Sequence, residues 1–128
     1  MLEKTVWVGL IVVVLLAAFA YRGFGGENDN FSVTIDEALR MWESKEAMMI
    51  DIRTPEEYQA GHIPGVLLIP LDQLANRASE VPKDQKVLLI CRSGNRSSQG
   101  TKLLRSKGFD NVYNVMSGMS AWRGPVEK

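Results

Sequence analysis

The chain has 128 residues, with 15 basic and 15 acidic side chains, one cysteine and one histidine. A net charge near zero gives no general support to nucleic-acid binding, and a single cysteine excludes a disulfide within the chain. One histidine leaves little for a metal site. We therefore expect one small domain with no cofactor, no metal and no nucleic-acid partner, and any cationic site must be local.

An uncharged apolar run, Val6 to Ala20, lies near the start between Lys4 and Arg22. With one flanking residue on each side, the run 5–21 reaches the lower limit of about 17 residues for a membrane-spanning helix. Residues 1–22 are therefore predicted to form one hydrophobic helix that anchors the protein in a membrane. The sequence Ala18-Phe19-Ala20 also has the small-x-small form of a signal-peptide cleavage site, which leaves export after cleavage near Ala20 as an alternative. A helix buried in the core is disfavoured because the run is apolar on all sides.

The charge of Lys4 and of the α-amino group favours an N-terminus inside the cell, which would place the rest of the chain on the periplasmic side of the membrane. Residues 23–30 are rich in glycine and polar side chains and are predicted to form a flexible linker. A single domain is expected over 31–128.

Strands and helices are predicted to alternate along this domain. Strands are expected at 31–33, 47–51, 66–69, 86–90 and 111–115. Helices are expected from a cap at 34 or 36 to about 45, from 55 to 58 after a cap at 54, and at 71–78, 97–107 and 118–123. This order indicates an α/β fold with a mainly parallel central sheet and helices on both faces.

The one cysteine, Cys91, follows the apolar strand Val87-Leu88-Leu89-Ile90 and begins the polar loop Arg92-Ser93-Gly94-Asn95-Arg96-Ser97. Loop N–H groups and the positive end of the following helix would favour the thiolate, which is the nucleophilic form. The alternative is a buried structural cysteine, but serine, glycine, asparagine and arginine neighbours make a poor core. We therefore predict a reactive thiol.

Asp51 and Arg53 follow a second strand, so the same edge of a parallel sheet should bring them close to Cys91. For Asp51 we favour a structural role near the site. Arg53 is predicted either to bind an anionic substrate or to pair with Glu56 or Glu57. Arg92 is expected to attract the substrate, and Arg96 to brace the loop.

Three stretches resemble the rhodanese (thiosulfate sulfurtransferase) family. They are Asp51-Ile52-Arg53-Thr54-Pro55-Glu56-Glu57-Tyr58 with Gly61-His62-Ile63-Pro64-Gly65; Cys91-Arg92-Ser93-Gly94-Asn95-Arg96-Ser97; and Gly108-Phe109 with Asn111-Val112-Tyr113-Asn114-Val115 and Gly118-Met119-Ser120-Ala121-Trp122. The resemblance covers almost all of 31–126. It implies a rhodanese-like fold and a sulfurtransferase activity that passes through a persulfide on Cys91.

The resemblance also implies the partners: a small anionic sulfur donor such as thiosulfate, and a nucleophilic acceptor that is cyanide, a thiol or a protein. The residues expected to bind the substrate are Arg92, Ser93, Gly94, Asn95, Arg96, Ser97 and Arg53. One alternative is a non-enzymatic rhodanese module that binds a partner or senses redox state. Another is a phosphatase or arsenate reductase, which the six-residue span from Cys91 to Arg96 disfavours because those enzymes use a loop one residue longer.

Overall fold

In a computed structural model, residues 30–128 are described, together with the single position Val13. The contacts divide the chain after Asn30, and Phe31–Lys128 is one compact unit. The predicted apolar span 5–21, its alternative as a signal peptide and the linker 23–30 lie outside the described residues except at Val13 and Asn30. In the part of the chain that is described, no helix has the length and apolar character needed to cross a membrane.

Within residues 30–128, five strands form one parallel sheet. They are β1 (Ser32–Val33), β2 (Ala47–Asp51), β3 (Leu67–Leu68), β4 (Lys86–Ile90) and β5 (Val112–Val115). Their order across the sheet is β1-β5-β4-β2-β3, and every pair runs parallel. The strand β4 is therefore central, and its carboxyl end lies between those of β2 and β5.

The same region contains four α-helices, α1 (Ile35–Glu43), α2 (Pro55–Ala60), α3 (Leu71–Leu74) and α4 (Asn95–Ser106), and two 3-10 turns, Ala78–Glu80 and Gly118–Ser120. The hydroxyl of Thr34 caps α1 by accepting the N–H of Glu37. The helix α2 begins with a capping box, in which the Thr54 hydroxyl accepts the N–H of Glu57 and the Glu57 carboxylate accepts the N–H of Thr54.

Alternate residues of β4 point to opposite faces of the sheet, and each face carries its own core. Val87, Leu89 and Cys91 pack in the cluster that also contains Leu74 of α3 and Leu104 of α4. Leu88 and Ile90 pack in the other cluster, together with side chains of α1. Because both faces are buried, β4 is apolar at every position after Lys86. The predicted parallel α/β sheet with helices on both faces is confirmed.

The differences from the predicted elements lie mainly in the short connections. The expected helix 71–78 is instead α3 followed by the turn Ala78–Glu80, because the backbone of Arg77, with ψ 16°, leaves the helical region. The expected strand 66–69 is reduced to Leu67–Leu68, and the expected helix 118–123 is the turn Gly118–Ser120. The helix α4 starts at Asn95 rather than Ser97, because Gly94 adopts a φ of 95° and turns the loop directly into the helix.

Candidate active site

Cys91 lies immediately after the central strand, at the edge of the sheet where the carboxyl ends of β2 and β4 meet. Asp51 pairs in register with Ile90, so the chain leaves both strands at the same level. The Cys91 side chain is almost fully buried, with 1% of the residue exposed. The sequence prediction that the cysteine and the residues after β2 share one edge is therefore confirmed by the topology.

Hydrogen-bonding groups of the loop and of α4 surround the Cys91 sulfur. The N–H of Gly94 donates to Sγ at 3.1 Å, and the N–H of Ser97 donates at 3.4 Å. The Ser97 hydroxyl lies 3.3 Å from Sγ. These groups come from the loop and from the first turn of α4, where N–H groups have no partner within the helix. The two N–H groups favour a negative charge on the sulfur, and the hydroxyl does so when it donates to the sulfur.

Two opposing effects act on the thiol. Burial raises the pKa of Cys91, whereas the hydrogen bonds from the Ser97 side chain and from the backbone of Ser97, Ser93 and Gly94 lower it. The hydrogen bonds outweigh the burial, so the pKa lies below its ordinary value. A buried structural thiol in an apolar core would be shifted in the opposite direction.

The turn Gly118–Ser120 fixes the backbone of the loop from the outside. The N–H of Met119 donates to the Cys91 carbonyl at 2.8 Å. The N–H and the hydroxyl of Ser120 donate to the Arg92 carbonyl at 2.9 and 2.7 Å. With these carbonyls held outward, the N–H groups that follow can point toward the sulfur. This role was not predicted from the sequence, although Gly118 after a strand of the same sheet was an available signal.

Arg96, which was predicted to brace the loop, is paired with Glu57. Its NH1 and NH2 donate to the two carboxylate oxygens of Glu57 at 2.6 and 2.8 Å. This bidentate pair joins the start of α4 to α2. The Arg96 guanidinium lowers the pKa of Glu57 to about 2, and Glu57 in turn raises the pKa of Arg96. Much of the Arg96 charge is therefore neutralised within the protein.

Arg53 is held by Asp51 and not by the expected Glu56 or Glu57. Its Nε and NH2 donate to Asp51 Oδ2 at 3.1 and 2.8 Å, and NH2 also donates to the Gly61 carbonyl at 2.7 Å. Asp51 is fully buried and Arg53 is 6% exposed. Asp51 also accepts the N–H of Arg53 at 3.0 Å, and the N-cap of α2 is Thr54 rather than Asp51. Arg53 is thus buried beside the site with its charge compensated.

The remaining predicted residues lie on the solvent side of the loop. Arg92, Ser93 and Asn95 are exposed. Arg92 lines a cavity of about 340 Å³ together with Arg53, Glu57, Ala60, Met119 and Ser120. Among the ion pairs of the described residues none includes Arg92, so its charge is available to an anion at the mouth of the site.

Behind the sulfur lies a buried polar side chain that the sequence analysis missed. The Ser97 hydroxyl is 2.5 Å from Oδ1 of Asn114, and Nδ2 of Asn114 donates to the Ser32 hydroxyl at 3.0 Å. Asn114 is 5% exposed, and Ser97 is fully buried. An asparagine between Tyr113 and Val115 of the inner strand β5 is the signal that could have revealed it. Within the described residues, no group of three histidine, cysteine, aspartate or glutamate side chains could hold a metal.

Comparison with known families identifies the domain. Residues 34–125 match the model of the Rhodanese-like domain. The chain therefore belongs to the rhodanese-like domain family, in agreement with the resemblance read from its motifs.

Individual relatives share the same domain. A protein named sulfurtransferase from Allochromatium vinosum is 40% identical over 83 residues, which cover 65% of this chain and 78% of that protein. The thiosulfate sulfurtransferase GlpE of Pseudoalteromonas translucida is 32% identical over 90 residues, covering 70% and 86%. YrkF of Bacillus subtilis is 33% identical over 118 residues, covering 88% of this chain but only 64% of YrkF.

The fold also matches a solved structure. The crystal structure of a rhodanese-related protein from Thermoplasma volcanium superposes with a TM-score of 0.69 at 27% identity, over 75% of this chain and 96% of that one. The parallel sheet and its helices are therefore those of rhodanese-like structures.

Proposed function

We propose that the protein is a sulfurtransferase whose nucleophile is Cys91. The observation that supports this most directly is the buried sulfur within hydrogen-bonding distance of two backbone N–H groups and a hydroxyl. Such groups stabilise a thiolate, and equally the terminal sulfur of a persulfide anion, and the two N–H groups are held in place by the loop backbone. Relatives that carry the name sulfurtransferase support the same reaction class.

The proposed reaction has two steps. The Cys91 thiolate attacks the outer sulfur of thiosulfate, the sulfur–sulfur bond of the donor breaks, and sulfite leaves with the bonding electron pair. A nucleophilic acceptor then attacks the outer sulfur of the Cys91 persulfide and regenerates the thiolate. Cyanide would leave as thiocyanate, and a small thiol or a protein thiol would leave as a persulfide.

The arginines support sulfur transfer over phosphate hydrolysis. A phosphate dianion in the loop would need a cation directed at it, but Arg96 makes both of its short hydrogen bonds to Glu57. The short loop and this compensated arginine disfavour a phosphatase. The positive charge left at the mouth is that of Arg92, which suits the attraction of a small anionic donor.

Mass spectrometry of the intact protein tests the proposal. After mixing with thiosulfate, the protein should gain the mass of one sulfur atom on Cys91 and lose it again with cyanide. The variant Cys91→Ser should gain nothing. Hydrolysis of an aryl phosphate without a sulfur adduct would overturn the proposal in favour of a phosphatase. Absence of an adduct and of turnover with any sulfane donor would favour the binding or redox-sensing module.

We further propose that residues 5–21 target the protein to a membrane and that the catalytic domain lies on the periplasmic side. The support is the uncharged run itself and the position of Lys4 before it. Cleavage near Ala20 would instead release the domain on the same side.

A further inference from the structure

Four side chains form a continuous polar line that ends at the reactive sulfur. Cys91 Sγ lies 3.3 Å from the Ser97 hydroxyl, which lies 2.5 Å from Oδ1 of Asn114. Nδ2 of Asn114 lies 3.0 Å from the Ser32 hydroxyl. Cys91, Ser97 and Asn114 are each at most 5% exposed, so these groups must satisfy one another. The line joins the active-site loop to the edge strand β1.

The number of hydrogen atoms on these side chains decides which group donates and which accepts in each hydrogen bond. Ser97 has a single hydroxyl hydrogen, and as the structure has it that hydrogen goes to Asn114 Oδ1. The Ser97 oxygen can then share a hydrogen with the sulfur only by accepting one from it. The orientation of the Asn114 amide in this structure therefore suits a neutral Cys91 thiol.

A thiolate requires the opposite arrangement. It has no hydrogen to donate, so the Ser97 hydroxyl must turn and donate to the sulfur. Asn114 Oδ1 would then face a serine lone pair at 2.5 Å, which is repulsive. Rotation of the Asn114 amide by half a turn removes the repulsion, because Nδ2 then donates to Ser97, while Oδ1 faces the Ser32 hydroxyl, a group that can donate as well as accept. Oxygen and nitrogen exchange places, and the packing is unchanged.

We propose that Asn114 is a positioning residue for the Cys91 thiolate, and that its amide turns over when the thiol ionises. Through Ser97 it directs the hydroxyl hydrogen toward or away from the sulfur. This inference rests on the proposed function only in taking the thiolate as the attacking group. Ionisation releases one proton from Cys91 to solvent, and no other covalent bond changes.

The other charged groups that face the loop are the Arg96–Glu57 pair between α4 and α2, the Asp51–Arg53 pair after β2, and Arg92. All of them are retained in every variant that tests the proposal. The turn Gly118–Ser120, which covers the loop, contributes no charge.

Nuclear magnetic resonance of the full chain labelled with nitrogen-15 tests the rotation of the Asn114 amide directly. The side-chain amide signals of Asn114 are followed against pH, together with the ultraviolet absorbance of the thiolate. We expect both to change with the same midpoint. In Cys91→Ser, which cannot ionise in this range, the amide signals should stay fixed. Amide signals that do not move while the wild-type thiol ionises would overturn the proposal.

A pair of substitutions tests the link to reactivity. Asn114→Asp keeps an oxygen that accepts from Ser97 but removes the donor, whereas Asn114→Leu removes both in a similar volume. Iodoacetamide alkylation of Cys91 at a fixed neutral pH should be about tenfold slower in Asn114→Asp than in Asn114→Leu, because only aspartate holds the Ser97 hydrogen away from the sulfur. Equal rates in the two variants would contradict the proposal.

The same pair in a Ser97→Ala background separates positioning from simple charge repulsion. Without the hydroxyl, the difference in alkylation rate between the two variants should fall to less than about threefold. An undiminished difference would mean that the aspartate acts on the thiolate through space. It would overturn the proposal that Asn114 acts through Ser97. If the Asn114 variants do not fold, the wild-type amide titration decides alone.

These readouts are independent of sulfur transfer. If the protein gains no sulfur from thiosulfate but its Asn114 amide follows the ionisation of Cys91, the proposed function is wrong and the positioning role of Asn114 stands. If the protein is loaded with sulfur while the amide stays fixed, the proposed function stands and the positioning role of Asn114 is wrong.

Discussion

The two arginines of the active-site loop have different surroundings. Arg96 is tied to Glu57 by two short hydrogen bonds, whereas Arg92 is exposed and has no ion pair among the described residues. An exposed charge acts on an anion that approaches the site more than on the bond that breaks. The two side chains should therefore affect catalysis in different ways.

For Arg92→Ala we expect a KM for thiosulfate about fivefold higher with kcat nearly unchanged, because an exposed charge contributes on the order of 1 kcal/mol. Steady-state kinetics at low salt measures this, and added salt should reduce the difference. Lys107→Ala removes an exposed charge just beyond the other end of α4 and should leave KM as it is. A loss of kcat with normal KM would place Arg92 in the chemical step instead.

The Glu57–Arg96 pair should make stability depend on pH in acid. The pKa of Glu57 is lowered from 4.5 to about 2 in the folded protein. Its contribution to stability is therefore complete above about pH 4.5 and is lost as the pH falls toward about 2. Glu57→Gln keeps the capping box of α2 but removes the charge.

We expect Glu57→Gln to lower the free energy of unfolding by about 1 kcal/mol near neutral pH, and by less at a pH of about 3. Urea unfolding at the two pH values gives both differences. A difference that is equal at both pH values would show that the charge of Glu57 does not stabilise the fold.

At the level of elements, the turn Gly118–Ser120 packs directly against the backbone of the active-site loop. A Cβ atom at Gly118 would overlap the Cys91 carbonyl oxygen, and the φ of 53° already disfavours other residues. Gly65 has a similar φ of 74°, but a Cβ there would meet nothing within 4 Å. The two glycines therefore share the backbone penalty and differ in the clash.

Gly65→Ala should cost about 1 to 2 kcal/mol and leave the alkylation rate of Cys91 unchanged. Gly118→Ala should cost about 1 to 3 kcal/mol more and slow alkylation about tenfold or further, because the displaced loop no longer directs its N–H groups at the sulfur. Thermal unfolding and alkylation kinetics measure the two effects. Similar behaviour of both variants would show that the turn does not hold the loop.

The elements predicted best from the sequence are those in which an apolar run ends at clearly polar residues. The strands β2 and β4 have the predicted bounds, since their apolar runs end at Asp51 and at the polar loop. The N-cap at Thr54 was also predicted from local residue types, and the structure adds its capping box with Glu57. The 3-10 turn Gly118–Ser120 was not predicted as such, because it depends on hydrogen bonds to the loop after β4, which is distant in sequence.

The cysteine loop of the site could be predicted from the sequence, but the distant residues that bind its side chains could not. Cys91 and its donors follow each other along the chain, so the loop could be recognised. The partners of Arg96 and Ser97, which are Glu57 and Asn114, lie 39 and 17 residues away. Charge pairs and buried amides of this kind are fixed by the three-dimensional arrangement, and the sequence pattern contains no local sign of which groups meet.

At the level of the whole molecule, the role of residues 5–21 is open to a direct test. The full chain should fractionate with membranes, or the mature protein should start at Tyr21 in the exported fraction. A chain that begins at Phe31 should lose both properties and keep the thiosulfate adduct on Cys91. Recovery of the uncleaved full chain in the soluble cytoplasm would rule out the anchor and the signal peptide.

The pairing of β1 with β5 has a consequence for the order of folding. Ser32 and Asn114 are 82 residues apart in sequence and meet only when the first strand of the sheet joins the last. Contacts between such distant residues form slowly, because the loop between them must close first. During refolding, Cys91 should therefore gain its full reactivity only with the final docking of β1, after the central strands have paired. Alkylation by pulses of iodoacetamide would then report the completion of the native sheet.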